Sequence, residues 1–283
     1  MASTISSLAS ILFLFLISLL IAPYLSKFET VSFLTASIIL YTFTKSTLLD
    51  NYSIIDEFWS TAPIFFTYHL NHWTYRGILM LILSSIWGIR LSYNFWRKGG
   101  YRGLEDYRWR YIKSKIPNKF LWVLFNLFII SGSQTLLLLA ICTPVLYEDQ
   151  SNLCLKDIIL TIGYLGFVLL ETWADQNQWD FQCRKLDVIK SGGKLKENFV
   201  TTGLFRYSRH PNYFAEHCIW WIFYAFSYSM NLSIIGVIVW SLQFQSSVYI
   251  TENLSLGKYP EYAQYQKSTS RVIPWFSSKK KMT

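Results

Sequence analysis

From Phe120 to Thr143 the chain carries no charged side chain, and the same holds from Leu8 to Ala22. A run like this is stable only in a solvent as apolar as itself, and about 20 such residues in a helix cross the roughly 30 Å hydrocarbon core of a bilayer. Backbone polar groups there must be satisfied within the segment, so the expected element is a helix. The same reading applies to Ile5–Pro23, Val31–Phe43, Gly77–Phe95, Ile158–Trp173, Asn212–Tyr228 and Leu232–Ile250, with Ser229-Met230-Asn231 as the turn of the last pair. The fold class expected is all-α, a multi-pass membrane helical bundle of about seven transmembrane helices. Composition agrees: 15% of residues are charged and 52% hydrophobic, against about 25% charged in an ordinary soluble domain. No Lys or Arg precedes Lys27, so the first run reads as an uncleaved span and not a secretory signal. Ile54–Leu70, with Asp56, Glu57 and Pro63 among its apolar residues, reads as a re-entrant or interfacial segment.

The net charge of +9 does not point to nucleic acid, because the basic residues cluster between apolar spans and no zinc-finger or RNA-binding signature accompanies them. Arg97–Lys119, Asp175–Arg209 and the tail after Ile250 are the basic segments. They alternate with neutral or acidic connections such as Tyr147–Asp157, which places the basic ones together on the cytosolic side. The N-terminus is then expected on the opposite side and the C-terminus in the cytosol. Lys280-Lys281-Met282-Thr283 resembles an endoplasmic reticulum retrieval signal, so the localisation expected is a multi-pass protein of that membrane. The partner expected from this pattern is the lipid bilayer, with no nucleic acid. Cys142, Cys154, Cys183 and Cys218 show no CxxC spacing, so no metal and no disulfide framework is expected. His69 and His72 read as surface residues.

Chemistry concentrates between Glu171 and Glu216. Glu171 and Asp175 are four residues apart and share one helical face, as do Asn212 and Glu216. Ionisable groups at membrane depth are costly and mark functional interiors. Pro211 suits the first turn of a helix, whose free N–H groups favour anions. With Arg206, Arg209 and His210 beside them and Tyr213 in the same turn, these residues suit an anionic nucleotide cofactor, the arginines gripping its phosphates.

The stretch Gly203-Leu-Phe-Arg-Tyr-Ser-Arg-His-Pro-Asn-Tyr-Phe-Ala-Glu216 resembles the signature of the DUF1295 membrane proteins, within the steroid 5α-reductase superfamily. Asp56 and Trp59, Trp87-Gly-Ile-Arg90-Leu, Glu171-Thr-x-Ala-Asp175 and Tyr262-Ala-Gln-Tyr265 followed by Ile273-Pro274 match in order. The resemblance implies a DUF1295-like membrane domain over residues 51–283, preceded by N-terminal transmembrane helices over 1–50, the whole forming one structural unit. It implies an NADPH-dependent reductase of a lipid enone, without a GxGxxG loop. Asn212 and Glu216 would serve the nicotinamide end, while Asp175, Arg184 and Arg90 would line the cofactor site. Reductases of this type polarise the enone carbonyl with an acid and a tyrosine. Glu57 is the positional acid, and Tyr93, one turn beyond Arg90, is the nearest tyrosine to the expected place. Isoprenylcysteine carboxyl methyltransferases, which bind S-adenosylmethionine, share the Arg-His-Pro turn. Their paired Glu-Glu corresponds here to Thr251-Glu252. A non-catalytic lipid-binding protein on the same scaffold is the third reading.

Overall fold

A computed structural model describes residues 2–149, 152–193, 195 and 197–276. Lys194 and Lys196 of the basic connection, and the Lys280-Lys281 motif, lie outside the described residues. The expected fold class holds: every regular element among the described residues is helical.

The helices begin and end where local chemistry allows. After α1 (Ala2–Ile21), Ser26 and Glu29 form a reciprocal capping box that opens α2 (Lys27–Leu49), and Asp50 closes it in the left-handed region at φ 49°. Each satisfies amide or carbonyl groups that a helix end leaves without intrahelical partners. α3 (Asp56–Trp59) and α4 (Ala62–Leu70) are two short pieces, with Pro63 in the first turn of the second. Thr74 caps α5 (Tyr75–Arg97), and Asp106 caps the basic helix α6 (Tyr107–Lys115). α7 (Lys119–Phe125), a π-helical stretch (Asn126–Ser133) and α8 (Gln134–Ala140) form one apolar rod. α9 (Leu155–Lys190), α10 (Pro211–Ala225), α11 (Ile234–Lys258) and α12 (Tyr262–Ser268) follow.

Among the described residues, six segments are long and apolar enough to cross a membrane: Thr4–Tyr24, Lys27–Leu49, Tyr75–Arg97, Lys119–Tyr147, Leu155–Lys190 and Ile234–Lys258. The seventh expected span coincides with α10, which at 15 residues measures only about 22 Å. At 36 residues, α9 runs for about 54 Å and projects well past a hydrocarbon core.

The chain divides into two compact units, one of residues 1–160 and 223–240, the other of 161–222 and 241–283. α1 and α2 belong to the first unit.

In unit 1 the core is aromatic and aliphatic, with Leu34, Ile38, Phe58, Phe66 and Trp87 fully buried. Trp59 stacks on Trp240 with ring centroids 5.3 Å apart. One end of the unit is marked by the Lys113–Asp50 ion pair and by Tyr52, whose amide donates to Glu105. The other is marked by Lys27 Nζ, which donates to the Asn71 carbonyl at 2.7 Å. Between them α3 and α4 run beside α1: Ser7 meets Glu57, Phe15 stacks on Phe65, and Ser18 meets His69. The segment read as re-entrant or interfacial is therefore a broken passage from one end of the unit to the other. Of its two acidic residues, Glu57 is tolerated because Lys45 and Ser7 neutralise and solvate its carboxylate. The same contacts correct the expected direction of the N-terminus. Ser7 lies at the end that carries the basic Arg97–Lys119 connection, not at the opposite one. His69, read as a surface residue, is buried at 8% exposure, with Nε2 2.8 Å from Ser18 Oγ.

Unit 2 is built on the latter part of α9. Ala174 and Phe181 on that helix pack with Val200 and Phe205 from the following connection into a small apolar cluster, and Leu204 packs against it.

Candidate functional site

Glu171 and Asp175 lie one turn apart on α9 and are both buried, at 4% and 5% exposure. Burial of carboxylates here costs free energy that a packing helix would avoid with apolar residues, so the pair is a candidate for a functional role. Asn177, half a turn further, shapes the connection opposite. Its Oδ1 accepts from the Leu204 amide at 3.0 Å, where Gly203 turns with φ 61°. A Cβ at position 203 would collide with the Asn177 amide. That turn exposes Arg206.

Arg209 and His210 fold inward instead. Arg209 Nε donates to Glu252 Oε1 at 2.7 Å and its Nη2 to Oε2 at 3.2 Å. Its Nη1 donates to the carbonyls of Gln266, at 2.9 Å, and Thr269. His210 Nε2 lies 3.1 Å from Glu252 Oε1, and Gln266 Nε2 donates to Oε2 at 2.9 Å. A guanidinium has five N–H donors in a fixed fork, and four of these contacts occupy it. Arg209 and His210, expected beside phosphates, thus form an internal latch that ties the start of α10 to α11 and α12. Arg184 and Arg206 are exposed and make no ion pair among the described residues. These two remain as groups suited to a phosphate.

On α10, Glu216 is buried at 3% exposure and accepts from Trp220 Nε1 at 3.0 Å. One turn earlier, the half-buried Asn212 amide has no hydrogen-bond partner among the described residues. Tyr213 stacks on His210 with centroids 5.4 Å apart and meets the edge of Phe244. The spacing that placed Asn212 and Glu216 on one face holds because Pro211 starts the helix immediately before them.

The remaining expected residues lie in unit 1. Arg90 is half-buried on α5. Tyr93 is 59% exposed, and its ring neighbours are Trp96 and Arg97, not Glu57. Glu57, at 2% exposure, accepts from Ser7 Oγ at 2.9 Å and pairs with Lys45 Nζ at 3.1 Å. The tyrosine associated with this carboxylate is Tyr41, whose hydroxyl oxygen accepts from Lys45 Nζ at 2.8 Å. Sequence reasoning missed Tyr41, Lys45 and the central place of Glu252. For the first two a signal existed: Tyr and Lys four residues apart on an otherwise apolar helix face. Among the described residues no group of His, Cys, Asp and Glu is arranged to hold a metal ion.

Helices long and apolar enough to span a bilayer define a polytopic membrane protein, and its second unit carries buried carboxylates and exposed basic residues. The sequence profile of the family described as protein of unknown function DUF1295 matches residues 42–269. A relative from Schizosaccharomyces pombe, an uncharacterized protein, is 34% identical over 255 residues, which is 79% of this chain and 73% of the relative. No solved structure matches. The chain belongs to the DUF1295 family.

Proposed function

We propose that this protein is a membrane-embedded reductase that uses NADPH to reduce a carbon–carbon double bond conjugated to a carbonyl in an apolar lipid. The observation that supports it most is the α10 face, where an uncommitted Asn212 amide stands one turn before the buried Glu216 carboxylate. A nicotinamide carboxamide offers two N–H donors and one carbonyl acceptor. A carboxylate only accepts, whereas an Asn amide both donates and accepts, so the two side chains complement that group. Arg184 and Arg206 supply bidentate donors for the phosphates, and Glu171 and Asp175 supply acceptors for ribose hydroxyls. Bound there, NADPH would supply a hydride. Arg209 and His210 hold the turn in place and do not touch the phosphates in this reading.

The chain would bind its nucleotide from the cytosol, because the basic connections around the site mark that side. An endoplasmic reticulum location follows if the Lys280-Lys281 tail acts as a retrieval signal.

The test is NADPH oxidation by the purified chain against a panel of apolar enones, with products analysed by mass spectrometry. A product two hydrogens heavier than its enone, formed only with NADPH, supports the reading. No consumption of any enone by protein that remains folded would reject it.

A further inference from the structure

Beyond α12, residues 270–276 of unit 2 form a strap against the turn that precedes α10. Three hydrogen bonds fix its backbone. The Arg209 amide donates to the Ser270 carbonyl at 2.8 Å, Ser208 Oγ to the Val272 carbonyl at 2.7 Å, and the Trp275 amide to the Tyr207 carbonyl at 2.9 Å. With the backbone held, the side chains sort by position. Val272 and Pro274 are half-buried, whereas Ile273, Trp275 and Phe276 are exposed at 66%, 72% and 82%. Phe276 meets the ring of Tyr207 edge-on at 6.3 Å. Large apolar side chains held out together on one short strap mark a surface that water does not suit.

The strap's position along α11 says what covers that surface. Arg271 Nη2 approaches the Gln245 carbonyl at 3.5 Å, and its Nε lies 3.9 Å from Glu252 Oε2. Residues 234–250 of α11 carry no charge, and Glu252 is the first acid after them. A spanning helix leaves the hydrocarbon where its uncharged run ends. Gln245 lies about 7.5 Å inside that end by helical rise. The strap therefore runs beside the part of α11 where acyl chains give way to headgroups. An interfacial segment buries its apolar face about 5–10 Å into that boundary, and aromatic residues concentrate there. The charges agree. Lys267 and Arg271 are exposed, the sequence continues with Lys279, Lys280 and Lys281, and no acidic residue follows Glu261. Such a basic run suits the phosphates of lipid headgroups.

We propose that residues 270–276 dock into the phospholipid leaflet in which α11 ends, with Ile273, Trp275 and Phe276 in the headgroup–acyl boundary and the basic residues around them on lipid phosphates. Docking also braces the turn before α10, because the strap's three backbone contacts fall on Tyr207, Ser208 and Arg209. The turn that carries Arg206 is then held from one side by the Arg209–Glu252 latch and from the other by the leaflet. The inference does not depend on what the site binds.

The test uses the full chain in nanodiscs of phosphatidylcholine with phosphatidylserine. Tryptophan fluorescence is quenched by lipids brominated high on the acyl chain and, separately, by aqueous iodide, in the wild type and in Trp275→Phe. The chain has 12 tryptophans, and Trp275→Phe removes the contribution of one. That contribution should be quenched by the brominated lipid and spared by iodide. A contribution quenched by iodide and spared by the lipid would place the strap in water and overturn the proposal. One spared by both would mean that protein, such as a second copy of this chain, covers the face, and would overturn it as well. The second readout is amide hydrogen exchange in the same nanodiscs. Trp275→Ser/Phe276→Ser should speed exchange at Arg209, whose amide the strap holds, several-fold over the wild type. Exchange no faster than in the wild type would overturn the bracing of the turn.

Discussion

Arg209 and Glu252 face each other inside unit 2 at 2.7 Å, Nε to Oε1, with each side chain 8% exposed. The pair joins the turn before α10 to α11, and the two remaining Arg209 contacts reach the backbone at the end of α12. Breaking one side of a buried pair leaves an uncompensated charge and costs about 3–5 kcal/mol. Arg209→Met or Glu252→Leu should therefore destabilise the protein by that order in a detergent thermal melt, while the double variant, which removes both charges, should recover a substantial part. A double variant as damaged as the sum of the singles would show that the residues act independently.

Gly203 carries φ 61° and lies against the Asn177 amide. The left-handed region costs an ordinary residue about 1–2 kcal/mol, and a Cβ there also displaces the Asn177 contact to the Leu204 amide. Gly203→Ala should lower stability by at least that amount. It should also weaken NADPH binding, because Arg206 ends the same turn. A variant with unchanged melting temperature and unchanged affinity would remove Arg206 from the phosphate role.

Cys154 tests the orientation. It is the exposed cysteine among four free ones, next to the Arg76–Asp157 pair at the start of α5 and α9. That is the end of unit 1 opposite the basic Arg97–Lys119 connection, which is the non-cytosolic side in the orientation proposed above. Tyr228 Oη lies 3.3 Å from its sulfur, and hydrogen bonds from that hydroxyl and from the amides of Lys156 and Asp157 hold the thiol pKa below its usual value. The thiolate fraction near neutral pH is therefore raised. A membrane-impermeant maleimide should label Cys154 in sealed microsomes only after permeabilisation, and Tyr228→Phe should slow the reaction. Labelling of intact vesicles oriented cytosolic side out would invert the topology.

Much of this was legible in the sequence, and the exceptions share a cause. Phe120–Thr143 announces itself because every residue agrees with one environment. Ile54–Leu70 does not, because Glu57 counts as a charge until Lys45 is known to face it, and no local pattern shows a partner on another helix. His69 hid in the same way, since Ser18 lies 51 positions away in sequence. The Asn212–Glu216 face was readable from spacing alone, since i and i+4 is a local rule. Arg209 was readable as a functional type in the right turn, but its partner is 43 positions distant, so phosphate and carboxylate could not be told apart. Glu252 presents itself in the sequence only as half of an incomplete Glu-Glu pair, although an acid in an apolar helix after an Arg-His pair is a signal for an internal ion pair.

The central claim is that unit 2 holds NADPH through Asn212 and Glu216. The most direct measurement is the thermal shift of the detergent-purified chain with NADPH, NADH and S-adenosylmethionine, in the wild type and in Asn212→Ala/Glu216→Ala. At 100 times its dissociation constant a ligand stabilises the folded state by about 2.7 kcal/mol. The account predicts a stabilisation with NADPH that the double variant loses. A shift with S-adenosylmethionine instead, or none with any of the three, would contradict it.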